Sequence, residues 1–132
     1  SERLILMQKS VLIIDDEKSI REILEIALED DWQVFVADSG SHGIEMARKE
    51  RPDLILLDRM MPDMDGVETL KSLKEDETTS HIPVIFLTAR VQTQEMTEYH
   101  ELDVLEVLRK PFDPMSLTEQ LNELLEKGSV NA

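Results

Sequence analysis

The 132-residue chain contains no cysteine, which excludes disulfides, zinc sites built on thiolates and cysteine nucleophiles. It also lacks any apolar run close to the roughly 20 residues that a membrane helix needs. Basic residues are few: 14 Lys and Arg stand against 29 Asp and Glu, giving a formal net charge of −15. Direct nucleic-acid binding normally uses a basic patch, so this balance disfavours it. The composition predicts a soluble cytoplasmic protein that binds neither membranes nor nucleic acid directly.

Five short apolar runs alternate with segments of helical period. The runs cover residues 10–14, 33–37, 53–57, 83–87 and 104–108. All but the last are apolar without strict alternation, and such continuous apolarity over so few residues indicates strands that are buried on both faces, as in a parallel sheet. The alternation with helices predicts an α/β domain, and right-handed crossovers then place helices on both faces of the sheet. Five helices are expected, including a less clearly amphipathic one over 92–102.

The length of the chain is typical of a single domain. We expect this domain to cover residues 8–127, with residues 1–7 as an N-terminal extension or a cloning remnant. The apolar run over 4–7 is too short for the core of a signal peptide. Residues 128–132 are predicted to form a disordered tail, because Gly128 is a typical helix stop.

Polar residues follow four of the five predicted strands. Asp15 and Asp16 follow the first, Asp58 the third, Thr88 the fourth, and Lys110 lies just beyond the fifth. Open parallel sheets bind ligands at the carboxyl ends of their strands. These five residues, far apart in the sequence, are therefore expected to converge at one edge of the sheet.

The charges of these residues indicate what such a site would bind. Two carboxylates about 5 Å apart repel each other by about 3 kcal/mol at an effective dielectric constant of about 20. The three aspartates would carry three negative charges, whereas Lys110 supplies one positive charge and a divalent cation would supply two. Oxygen ligands favour Mg²⁺, Mn²⁺ or Ca²⁺, and Mg²⁺ readily takes a phosphate oxygen. A metal, a lysine and a hydroxyl around one carboxylate is an arrangement for phosphoryl transfer, with Asp58 as the nucleophile.

A purely structural interpretation of the same residues is also open. Asp15 and Asp16 would cap the helix that begins near Lys18, since Asp is a favoured N-cap residue. Asp58 would then only end a strand. The presence of carboxylates, a hydroxyl and a lysine at four strand ends favours a functional site over this interpretation.

Four segments stand together in an order that resembles a known family. They are VLIIDDE at 11–17, LILLDRMMPDMDG at 54–66, PVIFLTA at 83–89 and RKPF at 109–112. With these motifs the chain resembles the response-regulator receiver domain of two-component signalling, of the chemotaxis-receiver type, over about residues 10–126. The resemblance implies a flavodoxin-like, doubly wound five-stranded parallel sheet of strand order 2-1-3-4-5.

The resemblance also implies a role for each site residue. Asp58 matches the phosphoacceptor, while Thr88 and Lys110 match the hydroxyl and the lysine that contact the phosphoryl group. The implied cofactor is Mg²⁺. Its implied ligands are Asp15, Asp16, Asp58 and the backbone carbonyl of Met60.

The chain departs from the family pattern at two positions. Receivers usually carry Tyr or Phe where Val107 stands, so the aromatic switch of the family is predicted to be different or weaker here. A glycine often stands where this chain has Asp103. In addition, Met60 and Arg90 match positions that flank the solvent side of the phosphoryl group. A Met and an Arg there predict a comparatively long-lived phosphorylated form.

The predicted function is a phosphorylation-dependent signalling switch that catalyses only its own phosphorylation and dephosphorylation. A cognate histidine kinase or phosphotransfer protein would donate to Asp58. Output would pass through contact with a downstream protein target or a second domain, and a homodimer is an open alternative to the monomer. Two other functions stay open. One is a degenerate receiver that acts as a binding module. The other is a Mg²⁺-dependent phosphatase of the haloacid-dehalogenase type, which would need a second acidic residue where this chain has Met60.

Overall fold

The structure, a computed structural model, describes residues 8–62, 64–89, 103–110 and 113–130. Five strands and four helices lie in these ranges. In chain order they are β1 Ser10–Ile14, α1 Lys18–Leu28, β2 Gln33–Ala37, α2 Gly40–Glu50, β3 Leu54–Asp58, α3 Gly66–Glu75, β4 Val84–Thr88, β5 Glu106–Arg109 and α4 Leu117–Val130. The helix predicted over 92–102 lies outside the described residues.

The strands form one parallel sheet in the order β2-β1-β3-β4-β5, which confirms the predicted fold class and strand order. β3 and β4 each begin and end one residue later than the corresponding apolar runs. Asp58 therefore pairs with Leu87, and Thr88 pairs with Arg109. This shift places both Asp58 and Thr88 inside the paired part of the sheet, where the backbone fixes their positions.

Apolar side chains cover both faces of the sheet at its three central strands, as predicted, whereas the edge strands β2 and β5 are buried only in part. Every residue of β1, β3 and β4 is buried. One core cluster packs strand residues such as Phe86 against α2 and α3, and the other packs residues such as Leu56 against α1 and α4. Full burial of one large apolar side chain contributes about 2 kcal/mol. The three central strands are therefore a firm support for the side chains at their carboxyl ends.

Side chains cap two of the helices at their N-termini. The Ser39 hydroxyl accepts a hydrogen bond from the backbone N–H of His42 at the start of α2. The Asp65 carboxylate accepts one from the N–H of Glu68 at the start of α3. Such caps satisfy backbone donors that the first helical turn leaves unpaired. They fix where α2 and α3 begin relative to the sheet edge.

The last helix continues beyond the predicted stop at Gly128, because α4 extends to Val130. The prediction at this point relied on glycine as a terminator, but glycine is only modestly unfavourable within a helix. The domain boundaries at 8 and 127 stay predictions. No helix in the described ranges is long and apolar enough to cross a membrane.

Candidate functional site

Asp15 lies directly after β1 and is completely buried. Four interactions hold it: its N–H donates to the Ala37 carbonyl, and one carboxylate oxygen, Oδ1, accepts from the Glu17 N–H. Its carbonyl accepts from the Arg21 guanidinium, and its second carboxylate oxygen, Oδ2, lies 3.1 Å from Lys110 Nζ. The N-cap of α1 is Glu17, so the purely structural interpretation of Asp15 and Asp16 as helix caps is wrong.

Asp58 ends β3 and is also buried, although a strand tip usually faces water. Its Oδ1 accepts a hydrogen bond of 3.2 Å from the backbone N–H of Met60. The chain then turns toward α3, and the Gly66 N–H donates to the Arg59 carbonyl. A Cβ atom at Gly66 would lie 2.5 Å from the Asp58 carbonyl oxygen, so a side chain there would displace the backbone. The glycine of this segment is therefore needed for space next to Asp58.

Lys110 lies directly after β5, at the same edge of the sheet. Its backbone N–H donates to the Thr88 carbonyl over 2.7 Å, which ties the ends of β4 and β5 together. Its Nζ lies 3.1 Å from Asp15 Oδ2 and 3.5 Å from Asp58 Oδ1. Thr88 is buried at the end of β4, between the strands that carry Asp58 and Lys110. The predicted convergence of these strand ends is therefore present in the structure.

Three carboxylates meet at this edge. Ligand oxygens of Asp15, Asp16 and Asp58 lie within 4.8 Å of one another, with Asp16 exposed and the other two buried. Among the described residues Lys110 alone forms ion pairs with these carboxylates, which leaves two negative charges that one divalent cation would balance. The donors are all oxygen, as Mg²⁺ prefers, and Asp16 provides an open side toward solvent. The residues present thus fit a magnesium site.

The electrostatics of Asp58 reflect this excess of negative charge. Burial, followed by the charge of Asp15, raises the pKa of Asp58 from its ordinary 3.8 to about 7, against the opposing effects of Lys110 and the Met60 N–H. Burial alone would lower the pKa of Lys110. The hydrogen bond and charge of Asp15, with Asp58 and Glu17, outweigh burial and raise it, so the lysine stays charged.

The structure describes all the predicted site residues. Asp15, Asp16, Asp58 and Lys110 are brought together by the contacts described above, with Thr88 on the strand between. Met60 donates its N–H to Asp58, and the residue itself is 70% exposed. The second flanking residue, Arg90, lies outside the described residues, so the long-lived phosphorylated form stays a prediction.

One residue at the site, Arg21, is not among those expected from the sequence; its Nη1 donates to the Asp15 carbonyl over 2.9 Å. The local sequence carries no signal for this contact, because Arg21 could equally pair with an acidic neighbour such as Glu17. Val107, where receivers usually carry an aromatic residue, is half-buried and pairs with Phe86. Asp103, where a glycine is common, lies 3.6 Å from Lys74.

Comparison with known proteins agrees with this geometry. The family model of the response regulator receiver domain matches residues 11–122. The chain therefore belongs to the response regulator receiver domain family, the phosphoacceptor switches of two-component systems, which confirms the predicted family and function.

Individual relatives illustrate the range of the family. Sporulation initiation phosphotransferase F of Bacillus subtilis is 36% identical over 121 residues, covering 91% of this chain and 96% of that protein. The phosphate regulon transcriptional regulatory protein PhoB of Pseudomonas aeruginosa is 36% identical over 120 residues, covering 90% of this chain and 52% of that protein. The structure of chemotaxis protein CheY4 of Vibrio cholerae superposes with a TM-score of 0.83 at 30% identity, covering 89% of this chain and 98% of that one. The chain spans about half the length of several curated relatives that it matches.

Proposed function

We propose that Asp58 is the phosphoacceptor of this receiver domain. The carboxylates of Asp15, Asp16 and Asp58 and the carbonyl of Met60 would hold Mg²⁺. One observation carries the proposal: Lys110 Nζ lies between two buried carboxylates, at 3.1 Å from Asp15 and 3.5 Å from Asp58. A structural ion pair needs one carboxylate for one lysine, and this arrangement provides two, with a third beside them.

The proposed reaction is an in-line displacement at phosphorus. An Asp58 carboxylate oxygen forms the new P–O bond while the P–N bond of a phosphohistidine breaks, and its electron pair goes to the imidazole nitrogen. Asp58 must be ionised to attack, and the charge of Lys110 favours this form. Bound Mg²⁺ supplies positive charge that offsets the carboxylates and the incoming phosphoryl oxygens.

Each remaining residue has a role that its position supports. Lys110 is already directed at Asp58 and would pair with a phosphoryl oxygen on it. Thr88, at the end of the neighbouring strand, would donate its hydroxyl to another oxygen. The Met60 N–H fixes one Asp58 oxygen and so leaves the other as the attacking atom. These contacts hold the acceptor still, and positioning is most of what phosphoryl transfer requires from a protein.

The proposed donor is a cognate histidine kinase or phosphotransfer protein in the cytoplasm. Output would pass through contact with a downstream protein or a second domain, in a monomer or a homodimer. We propose that the domain acts on no other substrate and catalyses only the gain and loss of its own phosphoryl group. The family supports this, since receiver domains are regulatory phosphoacceptors.

The test is phosphorylation by acetyl phosphate and binding of beryllofluoride, each with and without Mg²⁺. Intact mass spectrometry is expected to show one added phosphoryl group that depends on Mg²⁺ and is absent in Asp58→Asn. Asp38→Asn is the matched control, because Asp38 is an exposed carboxylate following β2 at the same sheet edge. Continuous hydrolysis without a lasting adduct would instead indicate the phosphatase. Absence of any reaction would indicate a degenerate binding module.

A further inference from the structure

We infer that Arg21 is a positioning residue for the metal ligands Asp15 and Asp16, an inference that rests on the function proposed above. Arg21 lies in α1, and its Nη1 donates to the Asp15 carbonyl over 2.9 Å. Among the described residues it forms no hydrogen bond or ion pair with Asp58 or Lys110. Its effect on the site therefore passes through the turn that carries the two ligands.

Asp15 shows why this contact matters. Each of its polar groups has one fixed partner: Ala37 for the N–H, Glu17 for Oδ1, Lys110 for Oδ2 and Arg21 for the carbonyl. The residue is completely buried, so water is a poor substitute for any of these partners. The peptide bond that follows this carbonyl leads directly to Asp16. Loss of the Arg21 contact would thus loosen the link between the two ligands.

The charge of Arg21 is not used to neutralise the acidic cluster. In the described part of the chain its guanidinium forms no ion pair with a carboxylate and binds a neutral carbonyl instead. A cation close to a metal site repels Mg²⁺. Charge alone therefore predicts that removing Arg21 tightens Mg²⁺ binding, whereas a positioning role predicts that it weakens binding. The two explanations differ in the sign of the effect.

The experiment compares Arg21→Gln with Lys18→Gln in the full chain. Lys18 is a suitable control because it lies on the same helix, carries the same charge and, within the described ranges, forms only an exposed pair with Glu22. Calorimetric titration with Mg²⁺ is expected to show about tenfold weaker binding for Arg21→Gln, as for residues that orient metal ligands. Lys18→Gln is expected to keep or slightly improve the wild-type affinity. Arg21→Lys should recover part of the loss, since it restores one donor.

A second measurement needs no metal. Hydrogen exchange of the Glu17 amide, which bonds to Asp15 Oδ1, should become faster in Arg21→Gln and not in Lys18→Gln. Equal or tighter Mg²⁺ binding by Arg21→Gln, or unchanged exchange at Glu17, would overturn the positioning role. A wild-type chain that binds no Mg²⁺ would overturn the proposed function instead, so the two failures can be told apart.

Discussion

Two partly buried lysines lie near opposite edges of the sheet and are held in different ways. Lys110, at the carboxyl edge, has a side chain 14% exposed and faces the carboxylates of Asp15 and Asp58. Lys74, near the amino end of β4, has a side chain 19% exposed. It donates to the carbonyls of Ser80 and Ile82, each over 3.1 Å.

The difference lies in the balance of charge rather than in burial. Lys74 has neutral carbonyl partners and one well-exposed carboxylate, Asp103, at 3.6 Å, so its surroundings need no further cation. It closes the connection between α3 and β4. Lys110 instead faces part of a cluster of three carboxylates and leaves that cluster with excess negative charge. Burial of a lysine is thus a poor sign of function, whereas an unbalanced set of charges around it is a good one.

The largest expected effect comes from exchanging each lysine for glutamine. Lys110→Gln should slow phosphorylation by acetyl phosphate about 100-fold, because it removes a charge directed at the reacting group. Lys74→Gln should leave this rate nearly unchanged. It should instead lower the free energy of unfolding by about 1–2 kcal/mol, since two backbone carbonyls lose a charged donor.

Mass spectrometry over time gives the rates, and urea unfolding followed by the fluorescence of the single, buried Trp32 gives the stabilities. The comparison fails if Lys74→Gln slows phosphorylation as strongly as Lys110→Gln does in proteins that are equally folded.

A second prediction concerns the pH dependence of stability without metal. The folded-state pKa of Asp58, about 7, lies above its ordinary 3.8, so the folded chain holds this proton more tightly than the unfolded chain. The associated stability is fully present below about pH 4 and is lost as the pH rises through about 7. At pH 8.5 in EDTA, Asp58→Asn should therefore be more stable than wild type by about 2–3 kcal/mol. The whole pKa difference, converted at about 1.36 kcal/mol per unit, would give a larger value. We expect less because Asp16 is exposed and solvent therefore screens the site.

Urea unfolding at pH 5, 7 and 8.5 measures this difference, which should shrink toward pH 5. Excess Mg²⁺ should raise the stability of wild type at pH 8.5 and leave Asp58→Asn with a smaller gain, since a bound ion stabilises the folded state. Asp31→Asn, an exposed carboxylate, should show no comparable change. A constant difference across the three pH values would mean that the pKa of Asp58 is not raised in the folded chain.

The carboxyl edge could be predicted from the sequence to a large extent. Five short apolar runs that alternate with helical segments indicate strands of a parallel sheet, and parallel strands must present their carboxyl ends together. The residues after those runs, from Asp15 to Lys110, were therefore placed correctly at one edge. These residues are far apart in the sequence, but the parallel pairing of the strands brings them close together.

What the sequence did not reveal depends on side-chain contacts across the turn after β1. Nothing in the local pattern shows that the Arg21 guanidinium points back at the Asp15 carbonyl rather than at an acidic neighbour such as Glu17. The end of α4 was also missed, because a stop at Gly128 rested on the tendency of one residue type. Such tendencies amount to about 1 kcal/mol, which the surrounding helix can overcome.

The smallest expected effect is at the amino edge, in the turn before β3. Arg51, at the end of α2, has φ 47° and ψ 61°, a left-handed conformation that favours glycine. Arg51→Gly should therefore raise the free energy of unfolding by about 0.5–1 kcal/mol, while phosphorylation stays unchanged. Lys49→Gly, two residues earlier in the regular helix, should lower it by a similar amount and serves as the matched control. At the carboxyl edge, even an alanine at Gly66 would displace the backbone. Arg51→Gly tests whether the amino edge, in contrast, accepts a substitution without an effect on phosphorylation. A change in phosphorylation rate in Arg51→Gly would show that the two edges are coupled.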